Sequence, residues 1–181
     1  MLTILEEIEA KRPGTSAGIP RVECEALYNF IKEYKIKRVV ETGVAYGLST
    51  AYILAALPED GKLISIEPVA AEYIGSVVPE RLRDKWELAL GTSKDLLPVV
   101  FKDHKNIDLF FHDSKHYPVD QTFEYEAALP FVKFVGSHDI RLYGPQFAWG
   151  TFIEKHKLEV LLTLGQLGFC RTGKKGKKAN E

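Results

Sequence analysis

Glu41, Glu67, Ser93, Asp113 and Asp139 each stand where a run of strand-forming residues gives way to a turn. Five strand ends carrying a polar group each are more than packing requires. In open α/β sheets, ligands bind beyond the carboxyl ends of the strands, near the switch in strand order. The most informative stretch holds the first of these residues: Val39-Val40-Glu41-Thr42-Gly43-Val44-Ala45-Tyr46-Gly47-Leu48-Ser49-Thr50. A β-branched run enters a Gly-x-x-x-Gly turn and leaves as an apolar-periodic segment, which reads as strand, tight loop and helix. Glycines let the backbone approach a ligand closely, and the unpaired amides of a new helix face a carboxylate or phosphate. The spacing is neither that of a dinucleotide fingerprint nor that of a nucleotide P-loop. Glu41, just before the first glycine, would repel a pyrophosphate but accept a hydrogen bond from an ammonium group. An amino-acid moiety therefore suits this loop better than a diphosphate.

The elements that must position these residues follow from periodicity and punctuation. A short amphipathic helix is expected at Leu2 to Ala10, a loop at Pro13 to Gly18, and a helix at about Pro20 to Tyr34 with Cys24, Leu27, Tyr28 and Ile31 on one face. The helix after the glycine loop ends at Pro58-Glu59-Asp60-Gly61. The second strand, Lys62 to Glu67, is stopped by Pro68. A helix at Val69 to Val78, a strand at Trp86 to Leu90, the turn Gly91-Thr92-Ser93 and a helix at Lys94 to Phe101 come next. Ile107 to Asp113 is apolar on both faces, as a central parallel strand should be. A helix at Val119 to Val132 precedes a short fifth strand at Lys133 to Ile140. Arg141 to Gly150 reads as a loop, Thr151 to His156 as a helix, and Leu158 to Leu164 with Gly168 to Thr172 as a hairpin around Gly165-Gln166-Leu167. This alternation predicts an α/β fold with a doubly wound, mostly parallel seven-stranded sheet closed by a C-terminal antiparallel hairpin.

At 181 residues, 45% hydrophobic and 27% charged, the chain fits one domain over 1–173, with N-terminal helices within 1–35 and a basic, mobile tail at 174–181. A balance of 24 basic against 25 acidic residues gives no general attraction to nucleic acid or to an anionic membrane. Cys24 and Cys170 have neither zinc nor disulfide-framework spacing, and the acidic N-terminal stretch is unlike a signal peptide. A cytoplasmic protein is expected.

Read together, the motifs Glu-Thr-Gly-Val-Ala-Tyr-Gly-Leu-Ser (41–49), Ile66-Glu67-Pro68, Gly91 to Pro98 and Phe111-His112-Asp113-Ser114-Lys115-His116 resemble those of class I S-adenosylmethionine-dependent methyltransferases. Within that group the chain is similar to the catechol and caffeoyl-CoA type O-methyltransferases, over roughly Pro20 to Thr172. The resemblance implies a Rossmann-like methyltransferase fold and in-line methyl transfer from S-adenosyl-L-methionine to a small-molecule hydroxyl. It places Glu41, Thr42, Gly43, Ala45, Tyr46, Gly47 and Ser49 around the methionine end of the cofactor, with the Ser49 hydroxyl on its carboxylate. It puts Glu67 on the ribose diol, Thr92 and Ser93 at the adenine, and Asp113 beside the sulfonium and the acceptor. Ser93 serves equally as a plain helix N-cap.

Metal-dependent relatives hold a divalent ion with an acid after the fourth strand and an Asp-Asn or acidic pair after the fifth. Here the corresponding residues are Asp113 and His138-Asp139-Ile140, with isoleucine in the Asn place. Asp113, Asp139 and His138 form a candidate set for magnesium or a softer ion; His138 reads equally as a core histidine bonded to the backbone. His116 stands where catechol-type enzymes carry a lysine base, and an imidazole titrates near neutrality, so His116 is a candidate general base, alone or beside a metal, and Asp113 near the acceptor is the other candidate catalytic residue. Tyr46, Tyr117, Tyr143, Phe147 and Trp149 are candidates for an acceptor pocket, either open to solvent or capped by the N-terminal helices of a second subunit in a homodimer. The alternative is a protein of the same fold that binds the cofactor without methyl transfer, a regulator or a hydroxylase-like relative. A nicotinamide oxidoreductase lacks its third glycine here, and a nucleic-acid methylase lacks its base-clamping motif.

Overall fold

The apolar residues of each strand alternate in the direction they face, and that alternation divides the interior in two. In the computed structural model, which describes residues 2–14, 18–141 and 143–173 (backbone alone for 143–146), the strands are β1 (Arg38–Thr42), β2 (Lys62–Glu67), β3 (Trp86–Leu90), β4 (Leu109–His112), β5 (Phe134–Ser137), β6 (Glu159–Leu164) and β7 (Leu167–Arg171). They form one sheet in the order β3-β2-β1-β4-β5-β7-β6. The first five are parallel, and β7 runs antiparallel to both β5 and β6. The doubly wound sheet with its antiparallel hairpin is thus as expected, and the order reverses between β1 and β4.

Val39, Leu63, Leu109 and Phe111 face helices α1 (Ile4–Ala10), α2 (Arg21–Glu33) and α3 (Leu48–Ala56). Val40, Ile64, Ile66, Phe110 and Val135 face α4 (Ser93–Asp103), α5 (Pro118–Ala128) and α6 (Tyr143–His156). Phe30 of α2 stacks on Phe169 of β7 with ring centroids 4.0 Å apart, joining the N-terminal helices to the terminal hairpin. The two-residue period therefore decides which side each polar strand residue takes. Glu41 and Ser65 follow Val39 and Leu63 toward α3; Thr42, His112 and Ser137 follow Val40, Phe110 and Val135 toward α5.

Two expectations are corrected. The helix expected at Val69 to Val78 is absent: the chain makes successive turns there and continues as a 3-10 turn at Glu80–Lys85. Its amides are used elsewhere, Gly75 N–H donating to the Ala45 carbonyl and Val77 N–H to that of Tyr46, which a continuous helix would forbid. Gly75 adopts φ +67°, and a Cβ there would lie 2.3 Å from the Trp86 ring. The loop expected at Arg141 to Gly150 is mostly helix, because α6 starts at Tyr143. Ala148, Trp149 and Phe152 supply the apolar face at helical spacing and are buried against α5. Smaller differences concern ends: α5 stops at Ala128, β4 covers only Leu109–His112, and the hairpin turn is Gly165-Gln166. The basic tail at 174–181 lies outside the described residues.

Gly136, in the middle of β5, has no room for a side chain: a Cβ would lie 2.4 Å from Phe169 Cε1 and 3.0 Å from Phe111 Cδ2. Gly136→Ala should destabilise the protein by about 1–3 kcal/mol through overpacking, read as a lowered denaturant midpoint with an unchanged slope.

Candidate active site

The carboxyl ends of β1, β2 and β4 stop at one level because ladder-like bonds continue past them. Gly43 N–H donates to the Ile66 carbonyl, Asp113 N–H to that of Thr42, and His138 N–H to that of His112, each at 2.9 Å. A cleft of about 490 Å³ opens above them, a size suited to a nucleoside-sized ligand. Thr42, Gly43, Ala45, Glu67, Thr92, Ser93, Asp113 and His116 line it. An adjoining cavity of about 340 Å³ is lined by Tyr46, Gly47 and Ser49, and it shares Ala45, Asp113 and His116 with the cleft. His138 and Asp139 form part of its wall. All but one of the residues singled out for cofactor, proton transfer or metal therefore line these two adjoining cavities.

The exception is Glu41, which lines neither cavity. Facing α3, its carboxylate is fully buried and accepts hydrogen bonds from Ser49 at 2.7 Å, Thr50 at 2.8 Å and Ser65 at 2.7 Å. The direct ammonium contact expected of it is corrected accordingly: the group is turned into the core by the alternation of β1. Burial pushes its pKa up to about 7, against the pull of the three hydroxyls and with help from the negative charge of Asp113.

Glu67 is 7% exposed at the cleft floor. Its Oε2 accepts from the amides of Val44 and Ala45 at 2.9 and 3.2 Å, and its Oε1 from that of Val69 at 3.1 Å. The glycine loop is thus organised around a carboxylate of the protein. Gly43, φ +85°, is required by the protein too, since a Cβ there would lie 2.1 Å from the Asp113 carbonyl oxygen. Thr92, and not Ser93, caps α4: its hydroxyl accepts from the Asp95 amide and donates to the Asp95 carboxylate. Ser93 is the first residue of α4 and lines the cleft.

Glu124 was not singled out from the sequence. It projects from α5 under the cleft, 1% exposed, and receives Thr42 Oγ1 and His112 Nδ1 at 2.6 Å each and Ser114 Oγ at 3.1 Å. Burial works to raise its pKa, but the hydrogen bond and charge of His112 hold it below the usual carboxylate range. The signal was present: Gln121, Glu124, Tyr125 and Ala128 share the buried face of α5, where two polar side chains interrupt an apolar stripe. His112 Nε2 and both amide atoms of Gln121 are buried without a hydrogen-bond partner among the described residues.

Glu23 on α2 was also missed, although it shares a buried helical face with Cys24, Leu27, Phe30 and Ile31. Its Oε2 lies 2.8 Å from His138 Nε2, and its Oε1 accepts from the Gln166 amide in the hairpin turn. On the other side of the ring, His138 Nδ1 is 3.4 Å from Asp113 Oδ1 and 3.2 Å from Asp139 Oδ2. Burial opposes a charge on His138, yet Asp113 and Asp139 outweigh it and lift the pKa to about 10. Asp139, whose burial would raise its pKa, is held low by His138. Asp113, His138 and Asp139 bring one donor atom each within 4.8 Å of one another, a set able to hold a metal ion. His116, half-exposed at the cleft mouth, has Nε2 3.3 Å from Asp139 Oδ2.

The aromatic candidates separate. Trp149 is core and not pocket, at 7% exposure on the inner face of α6. Tyr46 packs against the core and the Tyr73 ring. Tyr117 and Phe147 are exposed, and the Tyr143 side chain lies outside the described residues.

The Glu41 environment carries a pH signature. Its pKa is pushed up from the ordinary 4.5 to about 7 in the folded state, so between these two values the folded state binds more protons than the unfolded one. In that window stability falls as pH rises, and above it the loss is complete. Glu41→Gln should remove this downward contribution, so that the variant gains on the wild type as pH rises from 4.5 to 7 in denaturant titrations.

The match to a family model described as a methyltransferase domain covers residues 40–139. Among curated proteins, the chain is 32% identical over 116 residues to caffeoyl-CoA O-methyltransferase 2 of Petunia hybrida and to caffeoyl-CoA O-methyltransferase 1 of Nicotiana tabacum, covering 61% of this chain and 48% of each relative. It thus spans about half the length of these relatives. Among solved structures, the O-methyltransferase TomG of Streptomyces achromogenes, in complex with SAM, matches with a TM-score of 0.74 and 19% identity over 94% of this chain and 90% of that one. The O-methyltransferase of Bacillus cereus, in complex with SAH, matches at 0.70 and 16% over 93% and 90%. These structures share the fold. The domain match extends over more than half of the chain and takes in Glu41, Glu67 and Asp113, and by it the chain belongs to the methyltransferase domain family.

Proposed function

We propose that this protein transfers a methyl group from S-adenosyl-L-methionine to an oxygen of a small-molecule acceptor. The observation that carries the reading is the single cleft joining Glu67 at one end to Asp113 and His116 at the other. The names of the curated relatives and the SAM and SAH bound in the structural neighbours support it. When bound, the cofactor supplies a methyl on a positive sulfur, open to in-line attack by oxygen. Glu67 binds the ribose diol: Oε2 already accepts two loop amides and Oε1 one, so at one lone pair per hydrogen bond the acceptor capacity left for the ribose is on Oε1. Thr92 and Ser93 flank the adenine. Ser49 and the Gly47 end of α3 hold the amino-acid end from the smaller cavity, with Glu41 acting through the Ser49 hydroxyl.

Asp113, at the tip of β4 in the cleft, would face the positive sulfonium of a bound cofactor and favour its binding there. His116 takes the proton of the acceptor hydroxyl, its Nε2 steered by Asp139. Holding the two reactants in line supplies much of the acceleration. The cleft mouth at His116 and Tyr117 is open, which suits a small acceptor better than a nucleic acid on a chain of near-neutral charge. Cys24 and Cys170 are both buried free thiols, in keeping with the cytoplasm. No helix among the described residues is long and apolar enough to cross a membrane.

Calorimetry should detect S-adenosylmethionine binding, weakened roughly tenfold or more by Glu67→Ala, which removes a charge-assisted hydrogen bond to the ribose together with the carboxylate that orders the glycine loop. With a catechol or other phenolic acceptor, S-adenosylhomocysteine should form, and His116→Ala should cut turnover roughly tenfold or more at unchanged cofactor affinity. Cofactor binding with no S-adenosylhomocysteine across a panel of hydroxylated acceptors would make the chain a binding protein; absent binding would overturn the reading altogether.

A further inference from the structure

A separate cavity of about 500 Å³ opens where β1, β2 and β3 begin, at the opposite end of the sheet from the cleft. Arg38, Lys62, Glu87 and His104 line it, with Ile64 and Ile107 among its apolar walls. Strand rise separates Arg38 from Thr42 by about 13 Å along β1, and the two sites share no residue. Arg38 and Lys62 are register partners on adjacent parallel strands, two residues before Val40 and Ile64, which face α4. Their Cα atoms are about 4.8 Å apart and their side chains leave the same face, so two positive charges stand side by side. Like charges opposed in this way are destabilising.

The carboxylates at this end of the sheet do not relieve them. Asp108 is taken by the Lys133 ammonium and by the amides of Lys37 and Arg38, and Asp60 by the Lys37 ammonium. Asp60 feels the charge of Arg38, and the Lys62 ammonium turns to the carbonyl of Asp84. Among the described residues, none of Arg38, Lys62 and His104 forms an ion pair with a carboxylate, whereas Lys37 and Lys133 beside them both do.

We infer that this cavity binds a phosphomonoester bearing hydroxyl groups, with Arg38 and Lys62 on the phosphate and Glu87 on a hydroxyl of its body. A phosphomonoester carries nearly two negative charges at neutral pH, which match the two fixed cations; a carboxylate would offset only one. The guanidinium fork takes two phosphate oxygens at once, and the His104 ring N–H is a further donor. Glu87 stands one strand over, opposite Ile64. It repels phosphate and accepts from hydroxyls, which sets the direction in which the ligand lies. The cavity has room for such a body as well as its phosphate. The inference goes beyond methyl transfer and stands whether or not that reading holds.

The test is calorimetry on the full chain in phosphate-free buffer, titrated with ribose 5-phosphate, phenyl phosphate, ribose and inorganic phosphate. Ribose 5-phosphate should bind at least tenfold more tightly than ribose or inorganic phosphate, and several-fold more tightly than phenyl phosphate. Arg38→Gln and Lys62→Gln should each weaken it roughly tenfold or more; both side chains are exposed, and circular dichroism confirms that the variants are folded. Glu87→Ala should erase the preference over phenyl phosphate. Lys115→Gln, which removes a positive charge from the cofactor cleft, should leave the affinity unchanged. No binding of either ester, unchanged affinity in Arg38→Gln, or an equal loss in Lys115→Gln would overturn the site. Phenyl phosphate bound as tightly as ribose 5-phosphate by the wild type would overturn the hydroxylated body and the role of Glu87.

Discussion

The site depends on one close approach. β1 and β4 are neighbours at the reversal of strand order, and the cleft exists because their ends touch at Gly43 and Asp113. With a Cβ position only 2.1 Å from the Asp113 carbonyl oxygen, residue 43 must lack a side chain for the two chain ends to lie at one level. From that contact the rest is fixed in turn. Gly43 leads into the loop whose amides bind Glu67, Asp113 faces both cavities, and β5 alongside β4 delivers His138 and Asp139. A glycine that sequence reasoning assigns to a ligand's approach is, in the folded chain, first a requirement of strand-to-strand contact.

The acidic residues divide by the side of the sheet to which each belongs. Glu41 lies against α3 among three hydroxyls, Glu124 under the cleft with His112, and Glu23 beyond the end of β5 with His138. None is left to solvent, and each has partners from at least two elements. Burial disfavours the charge on Glu41 and on Glu124, but the outcome differs with the partner: hydroxyls leave Glu41 with a raised pKa, while a histidine keeps that of Glu124 low. Residues of the same type thus take separate parts: one is embedded beneath the loop, one supports the cleft floor, and one is tied to the wall of the second cavity.

Much of this was legible in the residues. The strand ends, the glycine loop, the parallel sheet and the grouping of Asp113, His138 and Asp139 follow from local pattern and from a resemblance resting on several ordered motifs. Glu23 and Glu124 did not emerge, because they reach the site from helix faces distant in sequence, and an acid inside an apolar stripe reads at first as an exposed one. The orientation of Glu41 differs from the expected one for another reason: it stands next to the glycine loop, but the two-residue period of β1 turns its side chain to the α3 side. After Pro68 the local pattern predicts a helix at Val69 to Val78, whereas amides of this segment are claimed by the carbonyls of Ala45 and Tyr46, a tertiary demand that local periodicity does not report.

That last segment has a bearing on how such a chain can diverge. Surface stretches without regular secondary structure ordinarily absorb insertions and deletions. Here Gly75 is pressed against the indole of Trp86 while its amide and that of Val77 are stitched to the loop carrying Ala45 and Tyr46. Changes of length are therefore confined to the few residues just after Pro68, and the irregular stretch beyond them is held to its register as strictly as a strand.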